Sequence, residues 1–265
     1  MKLIEKLNFT AEYFTKPHGR EIKKPNEDRV LVDKENGVFI LLDGVTRVHE
    51  EYENAPHESA AGDLGDIVVD EAYHFIIDNI LDSDPERILR GAVLAANVKI
   101  REYREKKSQI EWVYHPSTLG IIGLIRDNTL YFVYAGDCLG VLIRRGAKML
   151  IGREWTLEAV DKLAMSKAER YGKYCNHPDN HLSYTVFNGD DEVTVGLEYS
   201  FIDLHSGDTL LIGSDGIGDY MKFEKSADLI KQSPEEMINN SAEYDTLPYA
   251  EYADDKTLIK LSFNK

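Results

Sequence analysis

The chain has 265 residues, 43% of them hydrophobic, enough for a sizeable core and too apolar for general disorder. Asp and Glu number 47 against 31 Lys and Arg, a formal charge of −16. Such a chain is repelled by phosphate backbones and anionic headgroups, which excludes nucleic acid and membrane surfaces as expected partners. The two cysteines, Cys138 and Cys175, form no disulfide framework and no zinc spacing, which fits a reducing compartment. Met1–Lys6 lacks a secretory core and no run of about 18 apolar residues occurs, so the expected location is cytoplasmic.

In chain order, apolar stretches predict strands at Phe9–Phe14, Arg29–Val32 and Val38–Leu42. A helix over about Glu58–Ile80 follows, with Ala60, Leu64, Ile67, Val68, Ala72, Phe75 and Ile76 at helical spacing. A second helix starts at Asp84-Pro85, an N-cap followed by proline, and carries Ile88, Leu89, Ala92, Ala95, Ala96 and Tyr103 on one stripe. Strands return at Thr118–Ile125, Leu130–Ala135 and Val141–Arg144. Residues 153–181 read as a less regular surface excursion containing a helix at Thr156–Tyr171. Strands at Leu182–Phe187, Glu198–Leu204 and Thr209–Ile212 come next, then a helix after Ser233 with Pro234 first and Glu235-Glu236 in the first turn. Asn36-Gly37, Asp127-Asn128, Arg145-Gly146 and Ser206-Gly207-Asp208 are turn signals, so most strand pairing is expected to be antiparallel. The final strand, Thr257–Phe263, needs a distant partner, which argues for one domain over 1–265: an α+β fold with two antiparallel sheets between helix layers.

The acids fall where strands end or begin. The Val38–Leu42 strand runs into Asp43-Gly44, the Leu130–Ala135 strand into Gly136-Asp137, and the Thr209–Ile212 strand into Gly213-Ser214-Asp215-Gly216. Asp254-Asp255 stands just before the last strand, and Glu27-Asp28 before the second. An Asp-Gly after a strand is, taken alone, most often a plain turn, and Asp219 alone a helix-surface residue. Several such acids in one chain point to a shared purpose. Strand ends hold side chains on rigid elements. Carboxylates brought together repel unless a cation neutralises them, and hard divalent cations take oxygen ligands.

These pieces resemble the protein phosphatase 2C family of metal-dependent serine/threonine phosphatases. In family order they are Asn26-Glu27-Asp28-Arg29, Leu42-Asp43-Gly44, Ser117-Thr118, Ala135-Gly136-Asp137-Cys138, Gly213-Ser214-Asp215-Gly216-Ile217-Gly218-Asp219 and Asp254-Asp255-Lys256-Thr257-Leu258-Ile259. The resemblance implies a four-layer αββα sandwich, with the excursion at 153–181 as a flap beside the active site. It implies Mn²⁺ or Mg²⁺ as cofactor, two ions with a third, weaker site in many members. Asp43 would bridge two metals, with the Gly44 carbonyl and Glu27 on one and Asp215 and Asp254 on the other. Asp137 and Asp219 resemble the ligands of the third. Asp28 would stand behind the ligands and orient a metal-bound water. The implied reaction is direct hydrolysis of phosphoserine or phosphothreonine on proteins, opposing a Ser/Thr kinase.

The sequence also departs from the pattern. Where the family carries a phosphate-gripping arginine, Lys23 stands here, with Arg20 three residues earlier; either could meet the phosphate. After Asp43-Gly44 the run is Val45-Thr46-Arg47-Val48-His49, without the histidine some members use as a general acid. Cys138 reads as a small buried residue, not a nucleophile. Two other readings remain: a catalytically weak or inactive phosphatase-like binding or regulatory module, and an aspartyl-nucleophile phosphatase. The latter needs a second Asp two residues from Asp43, where Leu41 and Val45 stand.

Overall fold

The computed structural model describes residues 7–17, 25–45, 59–107, 116–151, 173–177, 183–242 and 254–264. Among these, ten strands form two five-stranded antiparallel sheets. The first runs, edge to edge, β1 (Asn8–Lys16), β10 (Lys256–Asn264), β9 (Thr209–Gly213), β6 (Leu139–Arg144) and β7 (Ala147–Ile151). The second runs β2 (Arg29–Asp33), β3 (Val38–Gly44), β4 (Thr118–Arg126), β5 (Thr129–Ala135) and β8 (Glu198–Asp203). The helices are α1 (Ala60–Asp78), α2 (Pro85–Lys106), α3 (Val193–Gly196), α4 (Asp215–Phe223), α5 (Ser226–Lys231) and α6 (Pro234–Asn240). Pairing of β1 with β10 joins two distant stretches of the chain in one sheet, as the isolated last strand requires.

Three apolar layers stack through the molecule. Alternation along β3 sends Val38, Ile40 and Leu42 toward α1 and α2, and Phe39 and Leu41 toward the opposite sheet. A strand buried on both faces reads as a continuous apolar run, which is what Val38–Leu42 is. Ile121, Phe132, Leu142, Leu210, Ile212 and Leu261 fill the space between the sheets. The outer face of the first sheet presents Val141, Leu211 and Leu258 to Ile217, Met221, Leu229 and Met237 of α4–α6. The order of layers is therefore helix, sheet, sheet, helix, the α+β sandwich expected from the sequence.

Local chemistry sets the boundaries. Asp84 caps α2 by accepting from Arg87 N at 3.1 Å, with Pro85 at the first helical position. Ser233 and Glu236 form a capping box at the start of α6. Asp127-Asn128 and Arg145-Gly146 take positive φ at both positions, as two-residue hairpin turns require. Two lysines of the first sheet satisfy helix-end carbonyls. Lys148 Nζ donates to Met221 O (2.8 Å), Lys222 O (2.9 Å) and Glu224 O at the end of α4. Lys260 Nζ donates to Ile230 O (2.7 Å) and Gln232 O (2.6 Å) at the end of α5.

The structure differs from the sequence reading in places. Ser183–Phe187, expected to be part of a strand, makes only two isolated bridges, Cys175 with Tyr184 and Phe187 with Thr118. The side chain of Asn176 takes the place of a ladder there, donating to Val186 O at 3.1 Å and accepting from Val186 N at 3.0 Å. The strand β7 and the helices α3 and α5 have no counterpart in the sequence reading, and α4 has one only in Asp219 as a helix-surface residue. The helix at Thr156–Tyr171 and all of the 153–181 excursion except Lys173–His177 lie outside the described residues. Among the described residues no helix is long and apolar enough to cross a membrane.

Candidate metal centre

One end of the sandwich gathers the acids. In the first sheet Gly213 pairs with Leu139 on one side and Leu258 on the other. The end of β9 therefore lies level with the starts of β6 and β10, and Asp137, Asp215 and Asp254 are brought to the same edge. In the second sheet Leu42 pairs with Arg29, Gly44 with Thr118, and Gly120 with Ala135, so Glu27-Asp28 and Asp43 sit at the matching edge. Asp43 keeps the phase of Phe39 and Leu41 and so belongs to the face between the sheets. The β5–β6 turn crosses from one sheet to the other there. Gly136 takes φ +80 in that turn, and a Cβ on it would lie 2.6 Å from Leu119, so only glycine fits ahead of Asp137.

Carboxyl oxygens of Asp43, Asp137 and Asp215 lie within 4.8 Å of one another. Asp43 is buried, Asp137 half-buried and Asp215 exposed, so the group opens to solvent on the Asp215 side. The backbone N–H of Asp215 points at Asp43 Oδ2, 3.4 Å away. Burial raises the Asp43 carboxyl well above its usual range, and the charges of Asp215, Asp28, Asp254 and Asp137 add to it. The protein packed around Asp215 raises its carboxyl too, despite its open face, with Asp254, Asp137 and Asp28 contributing. Burial pushes Asp28 up to about 7, aided by Asp255 and Asp254 and opposed by hydrogen bonds from Thr257 and Ser214. Five aspartates from separate stretches of chain thus press on one another. Their donor set is all oxygen, and a hard divalent cation fits it by replacing the repulsion with coordination.

Polar partners hold each acid. Thr118 Oγ1 donates to Asp43 O at 2.8 Å, which gives the Ser117-Thr118 pair a concrete part. Ser214 Oγ donates to Asp28 Oδ2 at 2.8 Å and accepts from Thr257 N at 3.0 Å. Glu27 is fully buried; its N–H donates to Asp255 Oδ2 at 2.8 Å, and its Oε1 accepts from Ser59 Oγ. A Cβ on Gly44 would stand 2.6 Å from Glu27 Cβ, so glycine there allows Glu27 and the end of β3 to touch. Arg29 Nη1 donates to Asn26 O (2.7 Å) and Asp28 O (3.0 Å), clamping the chain on both sides of Glu27.

Asp219 lies one turn beyond Asp215 on α4, exposed, with its carboxylate 3.7 Å from Lys222 Nζ and outside the tight group of three. Lys23, Arg20, Arg47 and His49 lie outside the described residues. Cys138 is buried, and burial pushes its thiol well up, which suits an inert core residue. Beside Asp43, Leu41 is buried between the sheets and Val45 packs against the same core, so no second acid stands there for an aspartyl nucleophile. Sequence reasoning missed Ser59, Arg29, Ser214, Thr257 and Asp255 as holding groups. All but Ser59 lie inside the motifs named above; Ser59 falls within the stretch read as the start of the first helix.

No protein-family model matches the chain, and no curated protein sequence does. Solved structures do. The catalytic domain of the serine threonine protein phosphatase PstP, in complex with two manganese ions, has a TM-score of 0.68 at 21% identity, covering 98% of this chain and 100% of that one. PppA of Pseudomonas aeruginosa, described as a key regulatory component of the T6SS, has a TM-score of 0.66 at 18% identity over 96% and 97%. The PPM Ser-Thr phosphatase MsPP of Mycobacterium smegmatis, solved with cacodylate, has a TM-score of 0.62 at 18% identity over 96% and 97%. The chain therefore has the fold of the PPM-type serine/threonine phosphatases over nearly its whole length, with its crowded aspartates at one end of the sandwich.

Proposed function

We propose that this protein is a metal-dependent phosphatase that hydrolyses phosphoserine and phosphothreonine on proteins. The observation that carries the reading is the convergence of Asp43, Asp137 and Asp215, whose carboxyls crowd within 4.8 Å on a fold shared with a manganese-bound phosphatase. Mn²⁺ or Mg²⁺ would be held by Asp43, Asp215, Asp254, Glu27 and the Gly44 carbonyl, with Asp137 and Asp219 toward a third ion. Such cations, when bound, neutralise phosphate charge and acidify water.

The chain's own groups do the rest. Asp43 sits on a strand buried on both faces, so its carboxyl is fixed before substrate arrives. Asp215 offers the open side of the cluster, where a phosphate monoester can approach from solvent. Asp28 accepts from Ser214 Oγ at 2.8 Å and is gripped by Thr257 as well, so its carboxyl is held in place behind the ligands, where it would orient water. Lys23 or Arg20 would grip the substrate phosphate. We read 1–265 as one catalytic domain with a flap at about 153–181, acting in the cytoplasm on signalling phosphoproteins against a Ser/Thr kinase.

The test is hydrolysis of p-nitrophenyl phosphate and of a phosphothreonine peptide with Mn²⁺, with a chelator, and in Asp43→Asn. Turnover that needs Mn²⁺ and vanishes in the variant is expected. Turnover that survives chelation would overturn the assignment. Binding of a phosphopeptide without turnover would favour a regulatory module instead.

A further inference from the structure

We propose that Ser59 is a positioning residue that fixes the Glu27 side chain for cation binding; the proposal rests on the metal-dependent reading above. Ser59 Oγ donates to Glu27 Oε1, a contact between residues 32 apart in sequence. The same oxygen accepts from Gly62 N at 2.9 Å as the N-cap of α1. A hydroxyl has a single proton and accepts through its lone pairs. With the Gly62 N–H on the acceptor side, the proton is aimed at Glu27.

The backbone around Glu27 is held independently. Its N–H is bound by Asp255, and the carbonyls on both sides are clamped by Arg29. The Arg29 guanidinium is itself held by Asp66 of α1, with Nη2 to Oδ2 at 3.1 Å. What the backbone contacts leave undetermined is the rotamer of a long carboxylate side chain. Ser59, the N-cap of α1, holds that side chain through its Oε1. The helix thus serves the site twice: Asp66 steadies the clamp and Ser59 orients the acid. Partners that orient a ligand in this way typically account for 10–100-fold in metal affinity.

The experiment is Mn²⁺ titration by calorimetry on the full chain and on Ser59→Ala, Ser59→Gly and Ser59→Thr, with far-UV circular dichroism of each cation-free form. Alanine loses both the proton donor and the cap. Glycine loses the donor while costing the cap little, and threonine keeps both. The expected result is about tenfold or more weaker Mn²⁺ binding at one site in the Ala and Gly variants, near-native binding in Thr, and native helix content in Gly. Ala and Gly variants that bind Mn²⁺ as the unmodified chain does would overturn the proposal and leave the metal-dependent reading standing. A Thr variant as weak as Ala would overturn it too, since the hydroxyl is then not what matters. Failure of the unmodified chain to take up Mn²⁺ at millimolar levels would remove the underlying reading as well.

Discussion

Replacing Asp43 by asparagine removes one charge from a group whose oxygens lie within 4.8 Å of each other. At that separation two carboxylates repel by about 1 kcal/mol in bulk water and about 3 kcal/mol at an effective dielectric of 20. The open face of Asp215 brings that pair toward the lower figure. If Asp43 instead takes up a proton, the cost moves to protonating it at neutral pH; asparagine avoids both. The amide oxygen can still face the Asp215 N–H. The cation-free variant should therefore be more stable than the parent near pH 7.5 by roughly 1–3 kcal/mol, or about 2–4 °C in Tm per kcal/mol. The sign with pH follows from the direction of the shift. A carboxyl raised in the folded state contributes least penalty below its unfolded pKa, about 3.9, and progressively more as pH rises toward the folded value. The gain from asparagine should thus be small near pH 4 and grow toward neutrality. Urea melts in chelator across that window measure it, with Mn²⁺ calorimetry alongside. A variant that is less stable than the parent at neutral pH, or that still binds Mn²⁺ normally, would refute the reasoning.

Other perturbations probe different parts of the account. Asp28 moves from 3.8 to about 7 on folding, so cation-free protein should lose stability between about pH 4 and about pH 7, by at most ~4 kcal/mol. Mn²⁺ should then raise Tm more near pH 7.5 than near pH 5, and thermal melts showing equal shifts would contradict this. Gly44→Ala drives a methyl to 2.6 Å from Glu27 Cβ, so a stability loss of about 1–3 kcal/mol and weaker Mn²⁺ binding are expected; native melts and native titrations would count against the close approach. Lys148→Met leaves the carbonyls of Met221, Lys222 and Glu224 without their donor. Denaturant melts should show ~1–3 kcal/mol lost with turnover per folded molecule retained, whereas lost turnover in fully folded protein would mean that Lys148 serves the site.

Much of this molecule is legible in its sequence because the acids sit where physics makes them conspicuous. Val38–Leu42 and Thr209–Ile212 are short apolar runs of strand length; the first breaks at Asp43-Gly44 and the second at Gly213-Ser214-Asp215-Gly216. What pattern reading does not supply is the identity of partners far away in the chain. Ser59 meets Glu27 across 32 residues, Ser214 meets Asp28 across 186, and Lys148 caps a helix 73 residues later. The helix α4 escapes because Gly216 and Gly218 lower its propensity, and packing of Ile217, Tyr220 and Met221 on the first sheet supplies what propensity does not. The strand β7 escapes because it is a short edge whose Met149 and Leu150 remain exposed, which weakens the alternation. At Ser183–Phe187 apolar alternation suggests a strand, but side-chain hydrogen bonds from Asn176 replace a ladder that alternation alone cannot distinguish.

The central claim is that these acids exist to share cations, and anomalous scattering from crystals grown in Mn²⁺ addresses it without reference to activity. At least two manganese peaks are expected at the end of the sandwich, with oxygens of Asp43 touching more than one of them and Asp215 and Asp254 completing the shell. Crystals at millimolar Mn²⁺ with no peak among these carboxyls, or with peaks only on exposed acids elsewhere, would contradict it.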